Sequence, residues 1–386
     1  MDFKKALSNL DLVYPDGIAK GFPLWCEKGI EMQHITINAF LEIFADENIE
    51  INYPKQIRTI EEFSSQYKDR IEKYDTTLPV FVDDNEMKLF ITDNLPYNLK
   101  RMDKEKIESL LTYYYVLRLL NSKQIPMSRD YYISPLLQFN IAVSNMSKQE
   151  AIDLMNSKLK LFCKKINLPT LILEYNGVEN YSEKVYMVAA LNQKLETQTI
   201  IQSSLLSNEL LKKFDISEEL KNKYVFDIGY SQKIFAYLAC NNMDLYGMRL
   251  PSIYKSKDIA IIYNSNIESD IINKLKNDEE ILSKVYFDNR LGKKKLKTIK
   301  NEYINKGVRV IIVQNHVNNK DIFLVYDISQ KMRKIFTIEE IYNIIENIEI
   351  KLDDFYYTKM NEKLEKHKTN EYAYVSEFKD KGKIVN

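Results

Sequence analysis

Between Lys284 and Lys306 the chain carries eight basic residues and two acidic ones, Asp288 and Glu302. The basic residues include Arg290, Lys293, Lys294, Lys295, Lys297 and Lys300. This local excess of six positive charges stands out in a chain whose 55 Lys and Arg balance 55 Asp and Glu. Lysines at this density attract phosphate without reading sequence. Two readings are open: contact with a nucleic-acid backbone, or a solvated helix face. Other chemistry finds little support. His34, His316 and His367 have no second His or Cys at ligand spacing, so no metal site is expected. No Ser–His or Cys–His arrangement is readable, so no catalytic nucleophile is assigned. No G-x-x-x-x-G-K loop is present to cradle a nucleotide.

The elements that must position any site come next. At 386 residues the chain is long enough for two or three domains. With 45% hydrophobic and 28% charged residues it has the composition of a globular protein. Cys26, Cys163 and Cys240 are far apart and odd in number, which argues against a secreted disulfide framework. No run of 18 apolar residues and no signal-peptide core is present, so a soluble, cytoplasmic protein without a membrane partner is expected.

Apolar spacing predicts a helix over Glu27 to Ala45, then a short strand from Ile49 to Tyr53 stopped by Pro54. Leu78 to Val82 and Met87 to Ile91 read as a hairpin. Ser147 and Glu150 form a capping box that opens a helix ending near Lys165. Strands are expected over Thr170 to Glu174, Tyr186 to Leu191 and Glu196 to Gln202. From Lys257 strands and helices of about ten residues alternate, the pattern of a small α/β domain. The uneven mixture before it suits an α+β domain on an antiparallel sheet. The boundary is expected between Pro251 and Lys257.

Several stretches, in order along the chain, resemble the class II prolyl-tRNA synthetases of the archaeal and eukaryotic type. Tyr224-Val-Phe-Asp-Ile-Gly-Tyr-Ser-Gln-Lys233 and Asp244-Leu-Tyr-Gly-Met-Arg-Leu-Pro251 are similar to the family's third motif and its exit into the anticodon-binding domain. Leu206 to Ile216 resembles the helix upstream of it. Arg290-Leu-Gly-Lys-Lys294 and Lys306-Gly307-Val308 resemble the anticodon-domain turn and the strand after it. The first helix with Asn52-Tyr53-Pro54 is similar to motif 1, and Met127-Ser-Arg-Asp130 to motif 2.

The resemblance implies a class II synthetase-like domain over residues 1–252, an anticodon-binding-like α/β domain over 253–350 and a helical tail over 351–386. It implies a homodimer through the first helix and the strand ending at Pro54. It also implies a protein handling amino acid, ATP with magnesium, or tRNA, of the ATP-dependent amino-acid ligase type if active. No protein-bound zinc is expected, because the chain ends near Asn386. Carried over residue by residue, the ATP contacts fall at Arg129 and Lys233. The amino-acid pocket falls at Thr92, Ser203, Ser204 and Gly229. The tRNA contacts fall at Arg290, Lys293, Lys294, Lys295, Lys297 and Lys300.

The departures are chemical. The family's first motif 2 arginine falls at Met127, and its motif 3 arginine, which stacks on adenine, becomes Lys233. Lysine cannot supply a planar, bidentate fork to phosphate. Losing one such donor slows adenylate formation on the order of a hundredfold or more. The implied chemistry is therefore altered aminoacyl-adenylate formation, or a catalytically inactive paralogue serving as a regulatory or tRNA-binding module. Arg129 reads either as a phosphate or tRNA contact or as a surface arginine beside Asp130. Lys233 reads either as a nucleotide contact or as a solvated lysine at a helix start. If Lys233 holds phosphate, titration calorimetry will show weak ATP binding that falls with added salt, disappears in Lys233→Ala and strengthens in Lys233→Arg. ATP binding that survives Lys233→Ala contradicts that assignment.

Overall fold

The computed structural model describes residues 7–14, 24–44, 50–52, 57–59, 80–83, 86–90, 95–113, 135–177, 181–191, 197–231, 233–254, 257–264, 270–317, 320–368 and 383–385. In chain order the first part contains α1 (Glu27–Phe44), β1 (Glu50–Asn52), β2 (Ile57–Thr59), β3 (Val80–Asp83), β4 (Glu86–Phe90), α2 (Leu95–Glu105), β5 (Ser109–Tyr113) and β6 (Pro135–Val143). Then follow α3 (Lys148–Lys165), β7 (Leu171–Asn176), β8 (Ser182–Leu191), β9 (Thr197–Leu206), α4 (Asn208–Lys213), α5 (Glu218–Lys221), β10 (Tyr224–Ser231) and α6 (Lys233–Asn241). The second part begins after the hairpin β11 (Met243–Asp244) and β12 (Gly247–Met248). It comprises β13 (Ile259–Ile262), α7 (Asp270–Lys276), α8 (Glu279–Lys284), β14 (Val285–Asp288), α9 (Leu296–Asn305), β15 (Val310–Val317), β16 (Lys320–Asp327), β17 (Met332–Phe336) and α10 (Ile338–Lys366). A last strand, β18 (Lys383–Ile384), returns to the first sheet.

That first sheet has eight strands in the order β1-β5-β6-β10-β9-β8-β7-β18, antiparallel throughout except for the parallel pair β1–β5. Its long strands alternate. In β10, Phe226, Ile228 and Tyr230 are buried on one side, with Phe139 and Ile141 of β6 beside them. α1 and α3 cover that side, and Phe40 packs edge-on against both Phe139 and Phe162. The capping box that starts α3 is formed: Ser147 Oγ accepts from the Glu150 amide, and Glu150 accepts from the Ser147 amide. This bond holds the Glu150 carboxyl below its ordinary range.

On the opposite side of the sheet, described elements pack in two groups. α2 and α4 close one end over Leu110, Ala142, Val225 and Leu206. At the β7–β8 side, Leu364 of α10 and Ile384 of β18 meet Leu173, Tyr175 and Met187.

The second sheet has the order β14-β13-β15-β16-β17 and shares no strand with the first. β13 pairs in parallel with both β14 and β15, and α9 crosses from one to the other. Short parallel strands buried on both faces explain the apolar run Ile259-Ala-Ile-Ile262. α10 is one unbroken helix through position 350. None of the helices among the described residues is long and apolar enough to cross a membrane.

Two fully buried arginines join the parts. Arg249 donates to both oxygens of Asp258, at 2.8 and 2.6 Å, and to Asp353 of α10. Arg309 donates to Asp244 Oδ2 at 2.8 Å and to the Gly247 carbonyl at 2.9 Å, and Tyr356 donates to the same Asp244 oxygen. Here Gly307 adopts φ +93°, and a Cβ would come within 3.1 Å of Leu10 and 3.4 Å of the Met248 carbonyl. Removing one partner of a buried ion pair strands the other charge. Arg249→Ala is therefore expected to lower unfolding free energy by about 3–5 kcal/mol in urea titrations. A loss below about 1 kcal/mol would mean that the pair is replaceable by water.

Candidate functional site

The middle of the first sheet, on the side away from α1 and α3, is polar and largely buried, and the pairing register shows why. One cross-strand row contains Leu110, Asn140, Asp227, Ser204 and Val185, and the next on the same side contains Thr112, Gln138, Gly229, Gln202 and Met187. Thr112, Asn140, Gln138 and Asp227 of these rows form one chain of hydrogen bonds with Asn98 and Tyr181. Thr112 Oγ1 donates to Asn98 Oδ1 at 3.1 Å, Asn98 Nδ2 to Asn140 Oδ1 at 2.8 Å, and Asn140 Nδ2 to Asp227 Oδ1 at 2.9 Å. Gln138 Nε2 donates to the same Asp227 oxygen at 2.6 Å. Tyr181 donates to Asp227 Oδ2 at 2.7 Å. Three neutral donors on one carboxylate fix its direction. Asn98 comes from α2, and Tyr181 is held by its carbonyl, which accepts from the Ser207 amide at the start of α4. Next to Asp227 on this side, a Cβ built on Gly229 meets no atom within 4 Å. The floor therefore opens into space there, with exposed Gln202 and its 3.3 Å contact to Ser204 alongside.

The residues expected from sequence are distributed unevenly on this frame. Ser204 and Gly229 lie on the open side, one row apart. Ser203 is paired with Ile228 and faces the side covered by α1 and α3, because neighbours in a strand point to opposite faces. The structure thus does not bring Ser203 together with Ser204 and Gly229. Lys233 is the first residue of α6, four positions beyond Gly229. Thr92, Arg129, Met127 and Pro54 lie outside the described residues. Asp227, Gln138, Asn140, Asn98, Thr112 and Tyr181 were not singled out from sequence. The alternations Gln138-Phe-Asn140 and Phe226-Asp-Ile-Gly-Tyr230 are the signals that place them.

Three comparisons bear on this arrangement. No family model matches the chain, and no curated protein matches it in sequence. Solved structures do match. Giardia lamblia prolyl-tRNA synthetase in complex with prolyl-adenylate has a TM-score of 0.72 at 12% identity, covering 94% of this chain and 80% of that one. Cryptosporidium parvum prolyl-tRNA synthetase complexed with halofuginone and AMPPNP gives a TM-score of 0.73 at the same identity and coverage. The same enzyme with L-proline and AMP gives 0.70. The chain has the prolyl-tRNA synthetase fold. Within that class II fold the polar floor lies on the side of the antiparallel sheet opposite α1 and α3, and the second sheet forms the small α/β domain beyond it.

The donor set of the synthetase-like floor can be tested against the ligands such a fold implies. Among the described residues, the side chains bonded across the floor carry one charge, and it is negative. A triphosphate needs fixed positive donors, so these residues do not make a triphosphate site by themselves. Among the described residues no group of three or more His, Cys, Asp or Glu is arranged to hold a metal ion. An ammonium group and hydroxyls fit the floor, since carboxylate, amide and hydroxyl acceptors all face it.

In the α/β domain the basic residues divide into two sets. Arg290 donates to both oxygens of Asp288 and to Glu302. Burial raises the Asp288 carboxyl, but the Arg290 bonds outweigh it and hold it below its ordinary range. Lys294 also pairs with Glu302. Lys300 sits 3.4 Å from the Tyr326 ring centre, where burial and nearby Arg333 lower its pKa. Among the described residues, Lys293, Lys295 and Lys297 have no acidic partner.

Substitutions on the floor separate its structural and open parts. Asn140→Ala leaves Asn98 and Asp227 each short of a partner and is expected to destabilise by about 1–3 kcal/mol. Gly229→Ala fills open space and is expected to leave the unfolding midpoint unchanged or slightly raised. Urea midpoints of both variants check this, and a large loss in Gly229→Ala would mean the space is filled.

Proposed function

We propose that this chain is a synthetase-like binding protein. Its sheet floor takes a free amino acid with the ammonium group toward Asp227, its lysine edge contacts tRNA, and its adenylate-forming step is slow or lost. The observation that carries the reading is Asp227, pinned by Gln138, Asn140 and Tyr181 beside the open position over Gly229. A fixed charge in a partly desolvated floor attracts an ammonium more strongly than it would in water. The matched synthetases were captured with proline, AMP, AMPPNP and prolyl-adenylate, which makes proline the first amino acid to try. ATP, if it enters, relies on Lys233 and Arg129, a point charge and one guanidinium where the family's pattern has an arginine fork in each of the two motifs. Lys293, Lys295 and Lys297 supply the sequence-independent attraction for the tRNA backbone.

Thermal melting with each of the twenty amino acids, with and without ATP and magnesium, tests the reading alongside pyrophosphate exchange. A raised melting temperature with one amino acid or a small group, lost in Asp227→Asn, is expected, with exchange near background. Stabilisation that survives Asp227→Asn contradicts the binding assignment. Robust exchange would instead make the chain an active ATP-dependent amino-acid ligase.

A further inference from the structure

The second sheet ends in an open strand. In the order β14-β13-β15-β16-β17, β17 pairs only with β16 among the described residues, so its outer side presents backbone N–H and C=O groups. Arg333, Lys334 and Ile335 in its middle are exposed, Ile335 at 65%. Register sets what each side chain stands beside. Arg333 is opposite Tyr326 and Ile335 is opposite Leu324, so these four share the sheet face on which α9 packs. Lys300 of α9 lies 3.4 Å from the centre of the Tyr326 ring, and the Arg333 guanidinium lies 5.4 Å from it. Two cations thus share one aromatic ring, and among the described residues neither has a carboxylate partner. Burial, and then the charge of Arg333, lower the Lys300 pKa. The stretch from Gln330 to Phe336 holds three basic residues and no acidic one.

We propose that β17 is a docking edge for an extended acidic segment of a partner protein, which adds a strand to the second sheet. The segment places an Asp or Glu beside Arg333 and an apolar residue two positions away beside Ile335, because side chains two apart in a strand share a face. Three observations select this occupant. The open edge offers alternating donors and acceptors, which a polypeptide strand matches and a nucleic-acid backbone does not. A guanidinium without a carboxylate can take one through two parallel bonds, and Lys300 behind it adds to the positive field. Exposed Ile335 beside partly buried Leu324 offers apolar contact that a phosphate backbone cannot use. A second copy of the chain does not fit, since β17 against β17 sets basic side chains against basic side chains. Charged residues on an edge strand guard against such self-pairing, and here their sign also determines which foreign strand is admitted. This edge is independent of both the amino-acid floor and the RNA reading of Lys293, Lys295 and Lys297.

Selection of displayed random peptides of about ten residues on the immobilised full chain tests the proposal. The enriched peptides are expected to carry Asp or Glu two positions from Val, Ile, Leu or Phe. An enriched peptide is then synthesised with a fluorescent label and titrated by anisotropy. Arg333→Glu should weaken its binding by about ten- to a hundredfold, and Ile335→Ala should weaken it less. Both side chains are exposed, so neither change opens the core. N-methylation of alternate peptide amides of one parity should abolish binding, and of the other parity should be tolerated, because every second residue bonds the edge. Absence of the spaced acidic and apolar pattern overturns the proposal. So does a peptide that binds Arg333→Glu as it binds wild type, or one indifferent to N-methylation at both parities. If no peptide is enriched and a labelled single-stranded RNA binds through Arg333, the cations serve RNA and the docking edge is equally overturned.

Discussion

A β-strand can show each side chain to only one of two faces, and the site depends on how β10 uses that constraint. Phe226, Ile228 and Tyr230 take the covered face, where α1 and α3 bury them. Asp227 and Gly229 are thereby sent to the other face. The same rule on β6 sends Gln138 and Asn140 across to meet Asp227 and commits Phe139 and Ile141 to the core. A one-residue slip of β10 against β6 would bury a carboxylate under two helices and expose an aromatic pair, so register and site are specified together. The polar floor is thus a consequence of building the apolar core. Tyr181 bonds the Asp227 carboxylate directly and Asn98 reaches it through Asn140, which ties the chain before α4 and α2 to the same floor.

A second constraint acts at the junction. Two guanidinium groups removed from water must each find carboxylates, and those carboxylates come from different parts of the chain. Asp258 opens the second sheet, Asp353 and Tyr356 lie on α10, and Asp244 lies in the hairpin that leaves the first sheet. The pairs fix where the α/β domain stands and also the hairpin tip that faces α9. β18 adds a further tie by returning the chain to the edge of the first sheet. A binding surface spread over both parts is therefore stiff at its seam.

Local signals in the sequence carry much of this fold. The α3 capping box, the strand runs of β7, β8 and β9 and the strand–helix rhythm from Ile259 to Asp327 each act within a few residues, and each appears where it was expected. α2 was not legible: its residues Leu95–Glu105 begin with Leu-Pro and are rich in charge, so their apolar stripe is narrow. β17 was also hidden, because Met332–Phe336 is an edge strand with exposed Arg333, Lys334 and Ile335. The site divides along the same line. Ser203, Ser204 and Gly229 came together through a family pattern, because a linear motif does not state which face a residue takes; register puts Ser203 on the side opposite the other two. Asp227 was missed as a hub because Tyr181, Asn140 and Gln138 lie 46 to 89 positions away in the chain and only the fold brings them together. The lysine edge was legible as charge. Its division into paired Arg290 and Lys294 and unpaired Lys293, Lys295 and Lys297 required the positions of Asp288 and Glu302.

In the function proposed above, the face carrying Asp227 and Gly229 is the one that a bound amino acid covers. Thiol labelling of single cysteines, read peptide by peptide in a mass spectrometer, tests this most directly. Gly229→Cys places a sulfur over the open floor, and Ser203→Cys places one on the adjoining strand facing the covered side. The account predicts rapid labelling of the first, slowed when a stabilising amino acid is added, and no native-state labelling of the second. Equal labelling of both, or labelling at position 229 that no amino acid slows, would contradict it.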